Sequence, residues 1–170
     1  MRLTILPMDR DSAETISRWH YPGEYAVYDM EPGELDELLG GEYYAAFDAA
    51  VKDSGELVGF FCYGSCARVP TDHLPDPYAG DSLDVGLGMR PDLCGQGNGA
   101  AFLRAGVDFA QTRFGVSRFR LTVMTFNSRA IHAYESAGFE PRFHFVNHAG
   151  TARFQTMTLE LSPAGKGESE

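Results

Sequence analysis

The chain has 170 residues, with 14 Lys plus Arg against 24 Asp plus Glu, for a formal charge of −10. At 44% hydrophobic and 22% charged it falls in the globular range, and its length suits one domain. A pI near 4.9 leaves no basic stripe, which excludes a nucleic-acid reader driven by counterion release. Any polyanion that binds here must be held by main-chain N–H groups.

Three cysteines, Cys62, Cys66 and Cys94, are an odd count and too few for a disulfide framework. Cys62 and Cys66 form C-x3-C with no histidine near them, so no metal site is expected. Pro7 and Asp9 stand where a signal peptide would need its apolar run, and no window approaches the roughly 20 apolar residues of a membrane span. The expectation is a cytoplasmic protein with neither membrane nor nucleic acid as partner.

In chain order, Leu3, Ile5 and Pro7 predict a short strand. Asp11 or Ser12 then caps an amphipathic helix carrying Ala13, Ile16 and Trp19, which Pro22-Gly23 ends. An aromatic cluster follows (Trp19, Tyr21, Tyr25, Tyr28), and Glu31-Pro32-Gly33 opens a second short helix that stops at Gly40-Gly41. Residues 42–51 and 56–66 predict a hairpin turning at Lys52-Asp53-Ser54-Gly55. Residues 67–80, broken by Pro70, Pro75 and Pro77, predict a long loop.

Leu83 to Met89 reads as a strand, and residues 94–101 form a glycine-rich turn running into a helix. Residues 118–125 predict a strand, 128–137 a helix stopped by Gly138, and 139–147 with 151–161 a second hairpin. Residues 1–162 thus read as one α/β domain, a mixed sheet with helices on its faces, and 163–170 as a polar tail. The strands near Leu83 and Leu121, joined by a helix, predict a parallel right-handed crossover.

Cys94-Gly95-Gln96-Gly97-Asn98-Gly99-Ala100 places three glycines between a strand and a helix, where free N–H groups and the positive end of a helix dipole converge on an anion. Gly95-x-Gly97-x-x-Ala100 also fits a dinucleotide fingerprint, but that needs an acidic residue about 20 positions on, and none lies between Phe109 and Tyr134. No Gly-Lys-Ser/Thr follows, so a P-loop fails too. The stretch resembles motif A of the GNAT acetyltransferase family, Q/R-x-x-G-x-G/A, with Cys94 in place of the usual Gln or Arg. Residues 127–139 resemble its motif B, N-x-x-A-x-x-x-Y-x-x-x-G-F, through Asn127, Ala130, Tyr134, Gly138 and Phe139. Read without the family, Asn127 is a helix cap and Tyr134 a core aromatic.

The resemblance implies a mostly antiparallel mixed sheet flanked by helices, with acetyl-CoA as acyl donor and no metal. Main-chain groups of Leu87, Gly88 and Met89 would pair with the pantetheine amides, and those of Gly95, Gln96, Gly97, Asn98, Gly99 and Ala100 would hold the pyrophosphate. Asn127 would bond the pantetheine arm, and Tyr134 would lie beside the sulfur. Dimers are common among such folds, and a homodimer is one assembly the resemblance allows.

An acyl-transfer site must supply a neutral amine. A lysine-like amine of pKa ~10.4 costs roughly 4.6 kcal/mol to use as free base at pH 7. Asp84 matches a position where many relatives carry the carboxylate base, whereas the glutamate that some place five residues before the motif B Asn is Thr122 here. Tyr134 fits the acid that protonates the leaving thiolate. Cys94 has no His-Asp pair beside it, so direct transfer in a ternary complex is expected over an acyl-enzyme.

Relatives bind the acceptor between the first two helices and the last hairpin, which selects residues 19–31 and 144–153, with His73 at the rim. Tyr25, Tyr28, Asp29 and Glu31 combine aromatic faces with carboxylates suited to a small amine, and the acidic chain would favour a cation. Two alternatives stand beside this: transfer to a protein or peptide, and an acyl-CoA-binding or sensing module without turnover.

Overall fold

The structure, a computed structural model, describes residues 1–49 and 55–163. The expected turn at 52–54, the end of the second predicted strand and the tail from 164 lie outside the described residues. Among the described residues seven strands form one sheet: β1 (Leu3–Pro7), β2 (Tyr43–Asp48), β3 (Glu56–Tyr63), β4 (Leu83–Met89), β5 (Arg118–Met124), β6 (Glu140–Val146) and β7 (Arg153–Glu160). Their order is β1-β2-β3-β4-β5-β7-β6, and only β4 and β5 are parallel. Four α-helices among the described residues flank them: α1 (Arg10–Ser17), α2 (Glu34–Leu38), α3 (Gly99–Phe114) and α4 (Ser128–Ser136). The order of elements is the one the sequence predicts, with a 3-10 helix, Gly23–Tyr28, added between α1 and α2.

Several boundaries differ: α1 ends at Ser17, so Trp19, expected within it, lies beyond its end, and three others differ for local reasons. The cap of α1 is Asp9, not Asp11 or Ser12, because Asp9 has the extended backbone of a cap and its carboxylate accepts from Ser12 N at 2.8 Å. α2 starts only at Glu34, after Gly33 turns at φ 108°. β3 stops at Tyr63 because Gly64, at φ 99°, bends the chain into a 3-10 turn over Ser65–Ala67.

The main core lies between the sheet and α3, where Phe61, Phe102, Phe119, Leu121 and Met157 are fully buried. Phe61 and Phe102 stack at 4.5 Å between centroids. This closeness depends on two glycines: a Cβ on Gly106 would fall 2.2 Å from the Phe61 ring, and one on Gly59 2.4 Å from that of Phe102. The opposite face is covered near β2 and β3 by α1 and α2, through Ala13, Ile16, Leu38, Tyr43 and Cys62. Farther along, the 64–82 connection takes over, with Arg68 reaching Asp84 of β4 and Tyr78 reaching Thr122 of β5.

β4 and β5 pair only at Leu83↔Phe119, Asp84↔Arg120 and Val85↔Leu121, while β4 continues against β3 as far as Gly59↔Met89. Beyond Val85 the parallel strands therefore diverge. The wedge between them exposes the main chain of Gly86 to Met89, and the start of α3 stands nearby.

Candidate active site

At the mouth of the wedge, Pro91–Leu93 forms a 3-10 turn and the glycine loop follows. Gly95 and Gly97 have φ of 71° and 79°, the left-handed region that other residues enter at a cost. Side chains in the loop turn backward: the Gln96 amide donates to Asp92 O, and that of Asn98 to Leu93 O at 3.2 Å. The main-chain N–H groups of Gly95 to Ala101 donate to no acceptor among the described residues, and the first bond into α3 is Phe102 N to Asn98 O. They converge on the positive end of a 16-residue helix, the geometry of an anion cradle. Gly99 lets α4 approach, since a Cβ there would fall 2.9 Å from that of Ala133.

Across the loop lies Arg129, on the first turn of α4. Its Nη1 is 3.0 Å from where a Gly95 Cβ would be, and its guanidinium sits 4.3 Å from the Tyr25 ring centre. Sequence reasoning passed Arg129 over because it is an unremarked x in motif B. The signal was its place two residues after Asn127, in the first turn of the helix that Asn127 caps.

Asn127 takes the capping role. Its Oδ1 accepts from Ala130 N at 3.0 Å, and its Nδ2 donates to the Tyr28 hydroxyl at 3.0 Å. Tyr28 also stacks on Phe126, 6.2 Å between centroids, and Tyr25 packs on the same ring. On the β4 side the Tyr21 hydroxyl donates to Met89 O at 2.8 Å. Residues 21–28 thus form a strap fastened to β4 at one end and to α4 at the other. The Met89 carbonyl, expected to serve a donor amide, already accepts from the Tyr21 hydroxyl and, at 3.6 Å, from the Cys94 thiol.

This arrangement corrects the expected acceptor residues. Asp29 accepts from Tyr21 N at 2.8 Å and from the His20 ring at 3.0 Å. Those bonds, the Tyr21 amide first, hold its carboxyl below the usual range and commit both oxygens to fastening the strap. Glu31 is exposed, and its main-chain N–H is bonded by the Glu34 carboxylate. Tyr25 already carries a cation on its face, and Tyr28 faces Asn127. A cavity of about 500 Å³ opens at the other part of the expected acceptor region, between the tip of the 64–82 connection and the β6–β7 hairpin, lined by His73, Thr125, His144, Phe145, Arg153 and Phe154 among others. Its charge is not predominantly acidic: its single carboxylate, Asp72, is bonded to His148 at 2.6 Å.

Asp84 also departs from expectation. It is 1% exposed, and Arg120, itself 3% exposed, grips it through two bonds of 2.6 and 2.8 Å. Arg68 adds a third at 2.8 Å, and the ring of Tyr78 lies against both guanidiniums. A carboxylate with both oxygens accepting from guanidiniums, sealed beneath a loop, has nowhere to take a proton from a substrate. The expectation of a base at Asp84 is replaced by that of a structural ion pair.

Tyr134 remains open to chemistry. It projects from α4 in a part-buried position, and its hydroxyl has no hydrogen-bond partner among the described residues. Burial pushes its phenol well above the ordinary tyrosine value, and the neighbouring Tyr28 and Cys94 add to that. Burial likewise raises the Cys94 thiol, against the pull of Arg129, so it stays protonated at neutral pH. Among the described residues no group of three or more His, Cys, Asp and Glu is placed to hold a metal, and no helix is long and apolar enough to cross a membrane.

A parallel pair opening into a wedge, with a main-chain anion cradle at its mouth and a free phenol beside it, defines an α/β protein built to hold an extended anionic donor. The family model of the GNAT acetyltransferases matches residues 11–139, and the chain belongs to that family. Among solved structures, the aminoglycoside acetyltransferase AAC(6')-Ib, solved with ribostamycin and coenzyme A, aligns with TM-score 0.70 at 18% identity, covering 100% of this chain and 99% of that one. A spermidine N-acetyltransferase chimera from Vibrio cholerae SpeG and hSSAT aligns with TM-score 0.66 at 19% identity, covering 94% and 96%. A GNAT acetyltransferase from Bacillus anthracis aligns with TM-score 0.68 at 12% identity, covering 94% and 95%. At these identities the likeness is one of fold. No curated protein sequence matches the chain.

Proposed function

We propose that the protein moves the acetyl group of acetyl-CoA directly to a primary amine on a small molecule. The observation that carries this reading is the run of unpaired N–H groups from Gly95 to Ala101 at the start of α3, beside the open main chain of Gly86 to Met89. Six of these groups, Gly95, Gln96, Gly97, Asn98, Gly99 and Ala100, would hold the pyrophosphate, with Arg129 as a cationic partner. Leu87, Gly88 and Met89 would receive the pantetheine amides as an added strand. The related aminoglycoside enzyme is solved with CoA, and it and the spermidine enzyme are named for small amine acceptors.

Asn127 and Tyr28, already joined, would face the pantetheine arm together, the Tyr28 hydroxyl keeping its own proton to donate. Tyr134 is the acid. A phenol kept neutral by burial can protonate a departing thiolate of pKa about 8.5 only if it touches it, and no other bond competes for its proton. The protonated Cys94 supports transfer without an acyl-enzyme. Tyr25 and the Asp29-fastened strap would close the donor side, leaving the acceptor to the cavity at His73 and the β6–β7 hairpin.

The test is release of free thiol from acetyl-CoA with a panel of amines, alongside CoA binding by calorimetry. Thiol release that depends on a small amine supports the reading. Binding without release from any amine or peptide favours a sensing module, for which the engaged Asp84 is the one favourable observation.

A further inference from the structure

With Asp84 sealed by two arginines, the site described so far has an acid but no group to take the acceptor's proton. The cavity at the end of β5 contains one. His73, near the tip of the 64–82 connection, has its Nδ1 2.8 Å from the carbonyl of Pro75. A carbonyl only accepts, so Nδ1 carries the hydrogen and the neutral ring presents a bare lone pair at Nε2. The rings of Phe143 and Phe145, each 6.4 Å away between centroids, flank the imidazole on the hairpin side. Thr125, where β5 ends at the open side of the wedge, lines the same cavity.

We infer that His73 is the general base of the acetyl transfer, taking the acceptor's proton at Nε2, directly or through one water. The inference rests on the acetyltransferase reading above. The ammonium nitrogen first gives one proton to Nε2. Its lone pair then forms the C–N bond to the thioester carbonyl carbon as the C–S bond breaks, and the thiolate takes the hydroxyl proton of Tyr134. The nitrogen's second proton passes through water to restore Tyr134. His73 releases its proton to solvent, so the net products are the amide, the free thiol and one proton.

The other ionisable groups around the cavity are occupied or unoriented. Asp72, beside His73, is bonded to His148 of the β6–β7 turn. His144 of β6 is exposed and makes no side-chain hydrogen bond among the described residues. Arg153 of β7 cannot act as a base. Of the histidines lining the cavity, His73 alone has a ring fixed by a hydrogen bond that leaves the other nitrogen open. A neighbouring arginine and an adjoining ion pair do not remove that nitrogen's lone pair.

The experiment compares the pH dependence of kcat/KM for thiol release in wild type and His73→Gln. The variant is expected to lose the acidic limb of the profile and about a hundredfold in rate, with CoA affinity unchanged to within about twofold. His73→Gly, inactive alone, is expected to recover activity with added imidazole, which separates a lost base from a disturbed loop. A His73→Gln enzyme that keeps both the wild-type rate and the acidic limb overturns the inference. So does a His73→Gly enzyme that melts like wild type yet is not rescued. If wild type itself binds CoA but releases no thiol with any amine, the acetyltransferase reading fails, and the inference falls with it.

Discussion

Asp84→Asn separates two accounts of that residue that differ in kind. As a base, Asp84 would lose turnover on amidation and leave the fold alone. As the centre of an ion pair, it would do the reverse. In the structure the carboxylate is 1% exposed and joined by two bonds to Arg120, itself 3% exposed. Asparagine offers one oxygen and no charge, so the buried guanidinium of Arg120 loses its counterion. Breaking a buried pair from one side costs about 3–5 kcal/mol. Arg68, whose side chain is 44% exposed, adds little to that sum because water screens it. For a chain of this length the loss corresponds to a fall in melting temperature of roughly 6–20 °C. Urea denaturation followed by tryptophan fluorescence measures it, and thiol release at low temperature reports turnover in the folded fraction. The expected variant is strongly destabilised, keeps kcat within a few-fold and retains its acidic limb. A variant as stable as wild type but inactive would refute the ion-pair account and restore Asp84 as the base.

Four further outcomes follow from the same contacts. Tyr134→Phe removes a phenol whose hydroxyl makes no hydrogen bond among the described residues, so kcat is expected to fall about a hundredfold with CoA affinity held within a few-fold in calorimetry; unchanged turnover would remove Tyr134 from the reaction. Gly97→Ala forces a Cβ into the left-handed region at roughly 1–2 kcal/mol, which should weaken CoA binding about tenfold as the loop shifts, whereas equal affinity would mean that the cradle is not used. Phe102→Ala leaves a hole against Phe61 and should lower stability by about 3–5 kcal/mol, measurable by urea titration. Burial lifts the phenols of Tyr43 and Tyr63 above the ordinary value of about 10. Their contribution to stability is therefore complete below pH ~10 and is lost as pH rises past it, at about 1.4 kcal/mol per pH unit for each; a melting temperature flat from pH 9 to about 11 would contradict this.

Local pattern accounts for what could be read from the sequence. Strand alternation, the helix stop at Gly138, and the spacing from the glycine turn to Asn127 and Tyr134 are all short-range features, and they set the element order and the proposed donor side of the site. The fate of Asp84 was not legible, because its partners lie 16 and 36 residues away and a carboxylate on a strand looks the same free or paired. Tyr25, Tyr28 and Asp29 have the composition of a cation site, but the strap they form is satisfied internally, by Arg129, Asn127 and Tyr21. Composition cannot separate a receptor for a charge from a group already holding one. The acidic total says little about the cavity for a related reason: the residues lining it include one arginine, Arg153, and one carboxylate, Asp72, and distant surface carboxylates are screened beyond about 8 Å.

The central claim is tested most directly by incubating the protein with acetyl-CoA and a mixture of small amines and following both the thiol and the amines by mass spectrometry. The account predicts that one amine gains an acetyl group in step with thiol release, and that Tyr134→Phe suppresses both together. Saturable CoA binding with no acetylated product from any amine or peptide would contradict it.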